Sequence, residues 1–170
     1  RLTIQFGTSM CYPISSFGAH VAARPRTSLK TRGNVAMCGT FGYELDPRKL
    51  TDDEKAEVKQ QIADYRKYHR LVREGDFYRL VSPTENDFYC AWEFVSPDKT
   101  EAMMTAVVMR QPETRYCVQR LRGLDPKTYY QDEETGTVYS GAMLMNAGLN
   151  LTRDVYEDGT SVTKHFKAVK

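Results

Sequence analysis

The sequence predicts two kinds of structure in succession, a parallel α/β part followed by an antiparallel all-β part. The apolar patterns of residues 1–75 alternate helix, strand, helix, strand and helix, which is the rhythm of a parallel sheet with crossover helices. Beyond residue 75 the apolar period becomes the alternation of strands, and clusters rich in Pro, Gly, Asp, Asn and Ser separate the short apolar runs. We therefore expect one domain over 1–75 and a second over 76–170.

The α/β part is predicted to contain two strands, each followed by a helix. In order, we expect the end of a helix at 2–10, a strand at 14–21 entered through Pro13, a helix capped by Thr27 or Ser28 that ends near Cys38, and a strand at 39–45. A parallel sheet needs more neighbours and helical cover on both faces. We therefore expect this part to be the tail of something larger, and we interpret the start at Arg1, without Met, as an internal cut.

The helix after residue 50 has the clearest signals in the chain. Thr51, with Glu54 three residues later, forms a capping-box pattern, and Gly75 supplies a stop. Its predicted apolar face repeats at helical spacing through Val58, Ile62, Tyr65, His69 and Val72. This placement makes His69 a packed histidine rather than a ligand.

The all-β part is predicted to be an antiparallel sandwich. The expected strands cover 77–81, 88–95, 101–110, 116–122, 128–131, 137–140 and 161–169. His165 alternates with apolar positions in the last of them and has no partner at metal-ligand spacing. The same region is rich in aromatic residues, namely Tyr78, Phe88, Tyr89, Trp92, Phe94, Tyr116, Tyr129, Tyr130 and Tyr139. They could form a platform for stacking sugars, but alternating strands more often place such residues in the core, and we expect Trp92 to be core.

Composition narrows the possible partners. The 170 residues carry a net charge of only +2 and are 41% hydrophobic, which predicts a globular protein that does not bind nucleic acid. The sequence has no apolar run that predicts a membrane partner. Cys11, Cys38, Cys90 and Cys117 form no CxxC pair and have no His at ligand spacing, so no metal site is expected. Their apolar neighbours indicate buried free thiols, and hence a reducing, cytoplasmic location.

Four motifs in the same order resemble one known family. They are YPISSFGAHV at 12–21, TRGNVAMCGTFGYELD at 31–46, GDFYRLVSP at 75–83 and RLRGLDP at 120–126. Together they resemble the C-terminal third of bacterial α-galactosidases of glycoside hydrolase family 36. YSGAMLMNAGL, which ends at Leu149, looks like the closing strands of that family.

The resemblance implies the last two βα units of a (β/α)8 TIM barrel followed by the C-terminal β-sandwich. Family members retain anomeric configuration with two Asp residues, and retention needs carboxyl groups about 5–5.5 Å apart. The family motifs that carry them would lie upstream of Arg1, and residues 1–43 contain no Asp or Glu. The resemblance therefore implies no catalytic residue in this chain, an inactive fragment, and a parent enzyme that cleaves α-galactoside oligosaccharides without a cofactor, as a homo-oligomer.

Three residues at the predicted strand ends are candidates for contact with substrate. His20 and Arg24 lie at the end of the first strand, beside Arg26, and could donate hydrogen bonds to a sugar or to the leaving group. The alternatives are a histidine bonded to backbone and arginines in solvent. Glu44 and Asp46 share a face after the second strand, and we favour a role in the following loop over contact with sugar. The loop at 22–30 is several residues shorter than in the family.

The rival interpretation is a carbohydrate-binding or structural β-sandwich module without catalytic function. An exposed row of aromatic residues on one face of the sheet would favour sugar binding. Aromatic residues buried in the core would favour a sandwich that braces the barrel.

Overall fold

The computed structural model describes residues 1–23, 27–86, 88–111 and 117–169. Its helices are α1 (Leu2–Thr8), α2 (Leu29–Ala36), α3 (Asp52–Glu74) and α4 (Gly141–Asn146). The strands are β1 (Gly18–Ala22), β2 (Thr40–Glu44), β3 (Asp76–Val81), β4 (Tyr89–Val95), β5 (Glu101–Val108), β6 (Val118–Gln119), β7 (Tyr129–Asp132), β8 (Val138–Ser140), β9 (Leu149–Asn150) and β10 (Ser161–Val169).

Strands β1 and β2 pair in parallel, from Gly18 opposite Thr40 to Ala22 opposite Glu44. Helix α2 connects them and α3 follows β2, so the two predicted βα units are present. The first strand begins later than predicted, because residues Ile14–Ser16 form a short 3-10 turn. Both the amide and the hydroxyl of Ser16 donate to the Pro13 carbonyl, which gives the backbone a local alternative to the sheet.

The helix caps follow the sequence closely. Ser28 accepts the amide of Thr31 at 3.1 Å and begins α2, and the capping box of Thr51 and Glu54 begins α3. The prediction that His69 packs on the apolar face of α3 is wrong, since its side chain is exposed and its ring contacts the Arg66 carbonyl. A helix has 3.6 residues per turn, and in this turn Tyr68 takes the inward position one residue earlier.

The second part is mostly antiparallel, as predicted. Six strands form one sheet in the order β3-β4-β5-β10-β7-β8, while β6 and β9 pair as a separate two-stranded sheet. This arrangement is consistent with a sandwich whose second layer is small. Two strand predictions are wrong: only Val118–Gln119 of the described part of 116–122 is a strand, and residues 141–146 form α4. Ser140 caps that helix by accepting the amide of Met143, a signal the strand prediction overlooked.

One face of the large sheet packs against the helices of the first part. Trp92, Phe94 and Met103 are buried in one apolar cluster with Phe6 of α1 and Leu71 of α3. The prediction of a core Trp92 is confirmed, with the ring 5% exposed. Its neighbours among the described residues, however, are the helices and turns of the first part and other strands of the same sheet, and not a second sheet as the sandwich prediction implied. The two parts therefore share a hydrophobic core.

The opposite face of the sheet buries a carboxylic acid. Glu93 is fully buried, and its Oε2 accepts the backbone amide of Arg122 at 2.9 Å. Its Oε1 has no hydrogen-bond partner among the described residues. Burial is the main cause that raises the pKa of Glu93 to about 8. The side chain is therefore mostly protonated near neutral pH.

Glu93 predicts a specific dependence of stability on pH. Its pKa is about 8 in the folded chain and about 4.3 in an unfolded one, so the folded state holds the proton across this interval. The free energy of unfolding should fall as the pH rises from about 4.3 to about 8, by a few kcal/mol at about 1.4 kcal/mol per pH unit. Urea unfolding of the chain across this range measures the slope.

The matched variant is Glu93→Gln, which keeps the acceptor for Arg122 but does not titrate. Its stability should depend less on pH than that of the unsubstituted chain, and the difference between the two should vanish below about pH 4. Parallel pH profiles for the two proteins would show that Glu93 is not protonated in the fold.

Candidate functional site

The carboxyl ends of β1 and β2 bring His20 and Glu44 together. In the parallel register His20 lies opposite Gly42, which places Glu44 two residues farther along the same face. The Nδ1 atom of His20 is 3.0 Å from Oε1 of Glu44. Their side chains remain 42% and 66% exposed, so the pair is accessible from solvent.

This pair points away from the helices. Ala19 and Val21 are buried in a cluster with Ala36 of α2. On β2, Phe41 stacks on Tyr65 of α3 with ring centroids 5.0 Å apart. Side chains alternate between the two faces of a strand, so His20 and Glu44 occupy the face that α2 and α3 leave open. In a (β/α)8 barrel this face lines the interior, and its carboxyl end carries the active site.

Two glycines make room for the histidine ring. A Cβ atom at Gly42 would lie 2.9 Å from Cδ2 of His20, and one at Gly18 would lie 3.4 Å from its Cε1. The ring therefore lies against the strand backbone, where a larger residue would push it aside. Gly42 was not among the residues predicted from the sequence, although a glycine inside a strand is a known sign of close approach.

Arginine side chains fix the end of β1. The guanidinium of Arg1 donates to the carbonyl of His20, and that of Arg32 donates to the carbonyl of Ala22 at 2.5 Å. These bonds hold the backbone on either side of Val21. Arg24, the third candidate from the sequence, and Arg26 lie outside the described residues.

Asp46 and Glu44 have different partners. Asp46 accepts the amide and the guanidinium of Arg48, at 3.0 Å and 2.9 Å, and so begins the turn before α3. Hydrogen bonds from the Arg48 side chain and backbone lower the pKa of Asp46. The role in the loop that we expected for the acidic pair fits Asp46. The side chain of Glu44 contacts His20 instead of that loop, and Glu44 remains a candidate for substrate contact.

The described residues contain no cluster of three or more His, Cys, Asp or Glu side chains placed to hold a metal ion. Their four cysteines are free, and the prediction of buried thiols is confirmed for Cys38 and Cys90 but wrong for Cys11, which is exposed. Burial raises the pKa of both Cys38 and Cys90 to about 12, so these thiols stay protonated and unreactive. No helix in the described ranges combines the length and apolar character needed to cross a bilayer.

Most aromatic residues of the second part are buried or half-buried. Trp92, Phe94 and Tyr130 belong to the cores, whereas Phe88 and Tyr129 are 41% and 57% exposed. Strands β5 and β10 separate β4, which follows Phe88, from β7, which carries Tyr129. Tyr116 lies outside the described residues. The described aromatic residues therefore form no continuous exposed row, which favours a bracing sheet over a sugar platform.

Comparison with known proteins finds relatives that match both the part with the parallel strands and the part with the antiparallel sheet. A family model described as Melibiase matches residues 1–75, and the glycosyl hydrolase family 36 C-terminal domain matches residues 89–166. Together the two models match most of the chain. The chain belongs to glycoside hydrolase family 36.

Curated relatives are longer than this chain. The α-galactosidase AgaA of Geobacillus stearothermophilus is 50% identical over 158 residues, which are 89% of this chain and 21% of the relative. The α-galactosidase Mel36A of Lactobacillus acidophilus is 39% identical over 178 aligned residues, covering 99% of this chain and 24% of the relative. The chain thus spans less than a quarter of the length of these two relatives.

Solved structures have the same fold over the matched region. A variant of Geobacillus stearothermophilus AgaA in complex with raffinose superposes with a TM-score of 0.93 at 46% identity, covering 99% of this chain and 24% of that one. The α-galactosidase of Lactobacillus brevis superposes with a TM-score of 0.91 at 37% identity, covering 100% of this chain and 25% of that one.

The glycine cradle predicts that Gly42→Ala separates His20 from Glu44. The added methyl group would lie 2.9 Å from the ring, and the half-exposed ring can swing toward solvent. A crystal structure of the variant should show Nδ1 and Oε1 more than about 3.5 Å apart, while the free energy of unfolding changes by less than about 1 kcal/mol.

The control is Gly7→Ala, which adds the same methyl group where no atom lies within 4 Å. It should leave the contact between His20 and Glu44 unchanged. An intact hydrogen bond in the Gly42→Ala variant would show that Gly42 does not position the ring.

Proposed function

We propose that this chain is the C-terminal portion of a retaining α-galactosidase that hydrolyses terminal α-galactosyl residues of oligosaccharides. Residues 1–75 would supply the last two βα units of its (β/α)8 barrel, and residues 76–170 would brace them. The family membership, the two βα units and the antiparallel sheet support this proposal. The shared core around Trp92 supports the bracing role.

One observation carries the proposal further than family membership. His20 and Glu44 are 3.0 Å apart at the carboxyl ends of parallel strands, on the face opposite the helices. Active sites of barrel enzymes are built at this place. The Nδ1 atom of His20 is engaged with Glu44, so Nε2 is the ring atom available to a sugar hydroxyl or to the leaving group.

The two catalytic carboxylates would lie outside this chain. Retention requires a carboxyl pair that can reach both faces of the scissile bond, about 5–5.5 Å apart. Near the strand ends, Asp46 is held by Arg48, and Glu44 is bonded to His20. We therefore give His20 and Glu44 a role in holding substrate, and we propose the same role for Arg24 because it follows the first strand.

The proposed substrate class is α-galactoside oligosaccharides. A variant of the relative AgaA has been crystallised with raffinose, which fits this class. The chemistry needs two carboxylates and water, so the proposal includes no cofactor. The proposal also places the parent enzyme in a reducing, cytoplasmic compartment and makes it a homo-oligomer. The buried free thiols of Cys38 and Cys90 support the reducing setting.

The first test uses the isolated chain. Purified residues 1–170 should show no detectable hydrolysis of a chromogenic α-galactoside, because the nucleophile and the acid/base are missing. Turnover by the chain that Glu44→Gln abolishes would show that the catalytic pair has been misplaced.

The second test inserts the chain into a complete relative. A chimera in which residues 1–170 replace the matching segment of AgaA should hydrolyse α-galactosides. Within this chimera, His20→Ala or Glu44→Gln should lower kcat/KM by about 10-fold to 100-fold, the loss expected for one hydrogen bond with a charged partner.

Glu74→Gln is the matched control, since Glu74 is a surface carboxylate that pairs with Arg70 at the far end of α3. It should leave kcat/KM unchanged. A folded, active chimera in which both His20→Ala and Glu44→Gln behave like this control would refute the proposed role of the strand ends.

A further inference from the structure

A histidine is enclosed between two carboxylates where the helices meet the sheet. The side chain of His165, on β10, is 5% exposed. Its Nε2 atom is 2.6 Å from Oε1 of Glu101 on β5, and its Nδ1 atom is 2.7 Å from Oε2 of Glu133 in the turn between β7 and β8. Both distances are short, as expected of hydrogen bonds that involve charged groups.

The two hydrogen bonds of this cluster need one more proton than a neutral ring and two ionised carboxylates provide. A neutral imidazole carries one N–H, while an ionised carboxylate can only accept. Partial burial alone would raise the pKa of Glu133, but hydrogen bonds from Lys167 and Lys67 overcome it, and with His165 they lower the pKa to about 2. Glu133 is therefore ionised, and Nδ1 of His165 must donate to it. One further proton is then needed between Nε2 and Glu101.

The cluster joins elements that lie far apart in the sequence. From α3, Nζ of Lys67 is 2.5 Å from Oε2 of Glu133, and the ring of Tyr68 packs on His165 with centroids 4.3 Å apart. From β10, Nζ of Lys167 is 2.8 Å from Oε1 of Glu133. The neighbouring Lys164 pairs instead with Glu134. The charged and titratable groups around the ring thus come from α3, β5, β10 and the turn after β7.

We propose that Glu101, His165 and Glu133 form a proton-dependent latch that ties β10 to β5 and to the turn after β7, and that this cluster anchors α3 through Lys67 and Tyr68. When the extra proton is present, both ring nitrogens are bridged to carboxylates. When it leaves, a bare Nε2 faces an ionised carboxylate oxygen at 2.6 Å, and the bridge to β5 is lost. The latch is independent of the proposed enzymatic function, because none of its residues lies at the carboxyl ends of β1 and β2.

Nitrogen NMR of the histidine rings shows directly which ring nitrogens carry a proton. At about pH 7.5 an isolated histidine is mostly neutral, with one bare ring nitrogen. In the chain, both ring nitrogens of His165 should carry hydrogen, or Nε2 should share one with Glu101. The exposed ring of His69 provides the internal reference, and His165→Gln assigns the signals. A bare Nε2 at this pH would overturn the proposal.

The variant Glu101→Gln removes the need for the extra proton, because an amide can donate to a bare nitrogen. His165 should then show one protonated and one bare nitrogen at the same pH, with the fold intact. Glu74→Gln is the control and should leave the His165 spectrum unchanged. An identical His165 spectrum in Glu101→Gln would contradict the proposed site of the proton.

Amide hydrogen exchange tests whether the cluster holds the helix. Glu133→Gln should speed exchange in the last turns of α3, over 65–74, by about tenfold, whereas Glu74→Gln should not. Should Glu133→Gln fail to fold, Lys67→Met removes the ion pair with Glu133 while Tyr68 still packs on His165, and it should speed exchange in the same turns by a smaller factor. Unchanged exchange in Lys67→Met would show that the cluster does not anchor α3.

Discussion

One face of the antiparallel sheet packs against α1, α2 and α3, and this packing determines where the parallel strands lie. Large side chains such as Trp92 and Phe94 are buried there with Phe6 and Leu71. Fully burying one such side chain adds about 1.5–3 kcal/mol to the free energy of unfolding, so this packing contributes strongly to stability. It also sets the position of the helices, and hence of the short parallel strands beneath them.

The same packing explains why one face of the parallel strands is open. Helices α2 and α3 cover Ala19, Val21 and Phe41, whereas the side chains of His20 and Glu44 on the other face stay 42% and 66% exposed. A polar pair can stay exposed to solvent on this face, as a binding site requires. An exposed apolar pair would favour aggregation instead. The sheet thus packs against the helices that position these strands.

The sequence predicted the elements that local rules determine. The capping box of Thr51 and the helical repeat of apolar residues predict α3, and apolar runs bounded by turn clusters predict β4 and β5. The prediction failed where elements are short, since the six residues of α4 carry too little periodicity to indicate a helix, and the family resemblance suggested strands there. The contact of His20 with Glu44 depends on the register of two strands joined through a helix, and that of His165 with Glu101 and Glu133 on antiparallel pairing. Neither register can be predicted from the sequence of one strand alone.

We propose that the open face of β1 and β2 lines the substrate cavity of the parent enzyme. A crystal structure of the AgaA chimera with bound raffinose would show whether it does. We expect Nε2 of His20 or a carboxylate oxygen of Glu44 to lie within about 3.2 Å of a sugar oxygen or of a water that bridges to one. Raffinose bound elsewhere, with both side chains covered by protein, would contradict it.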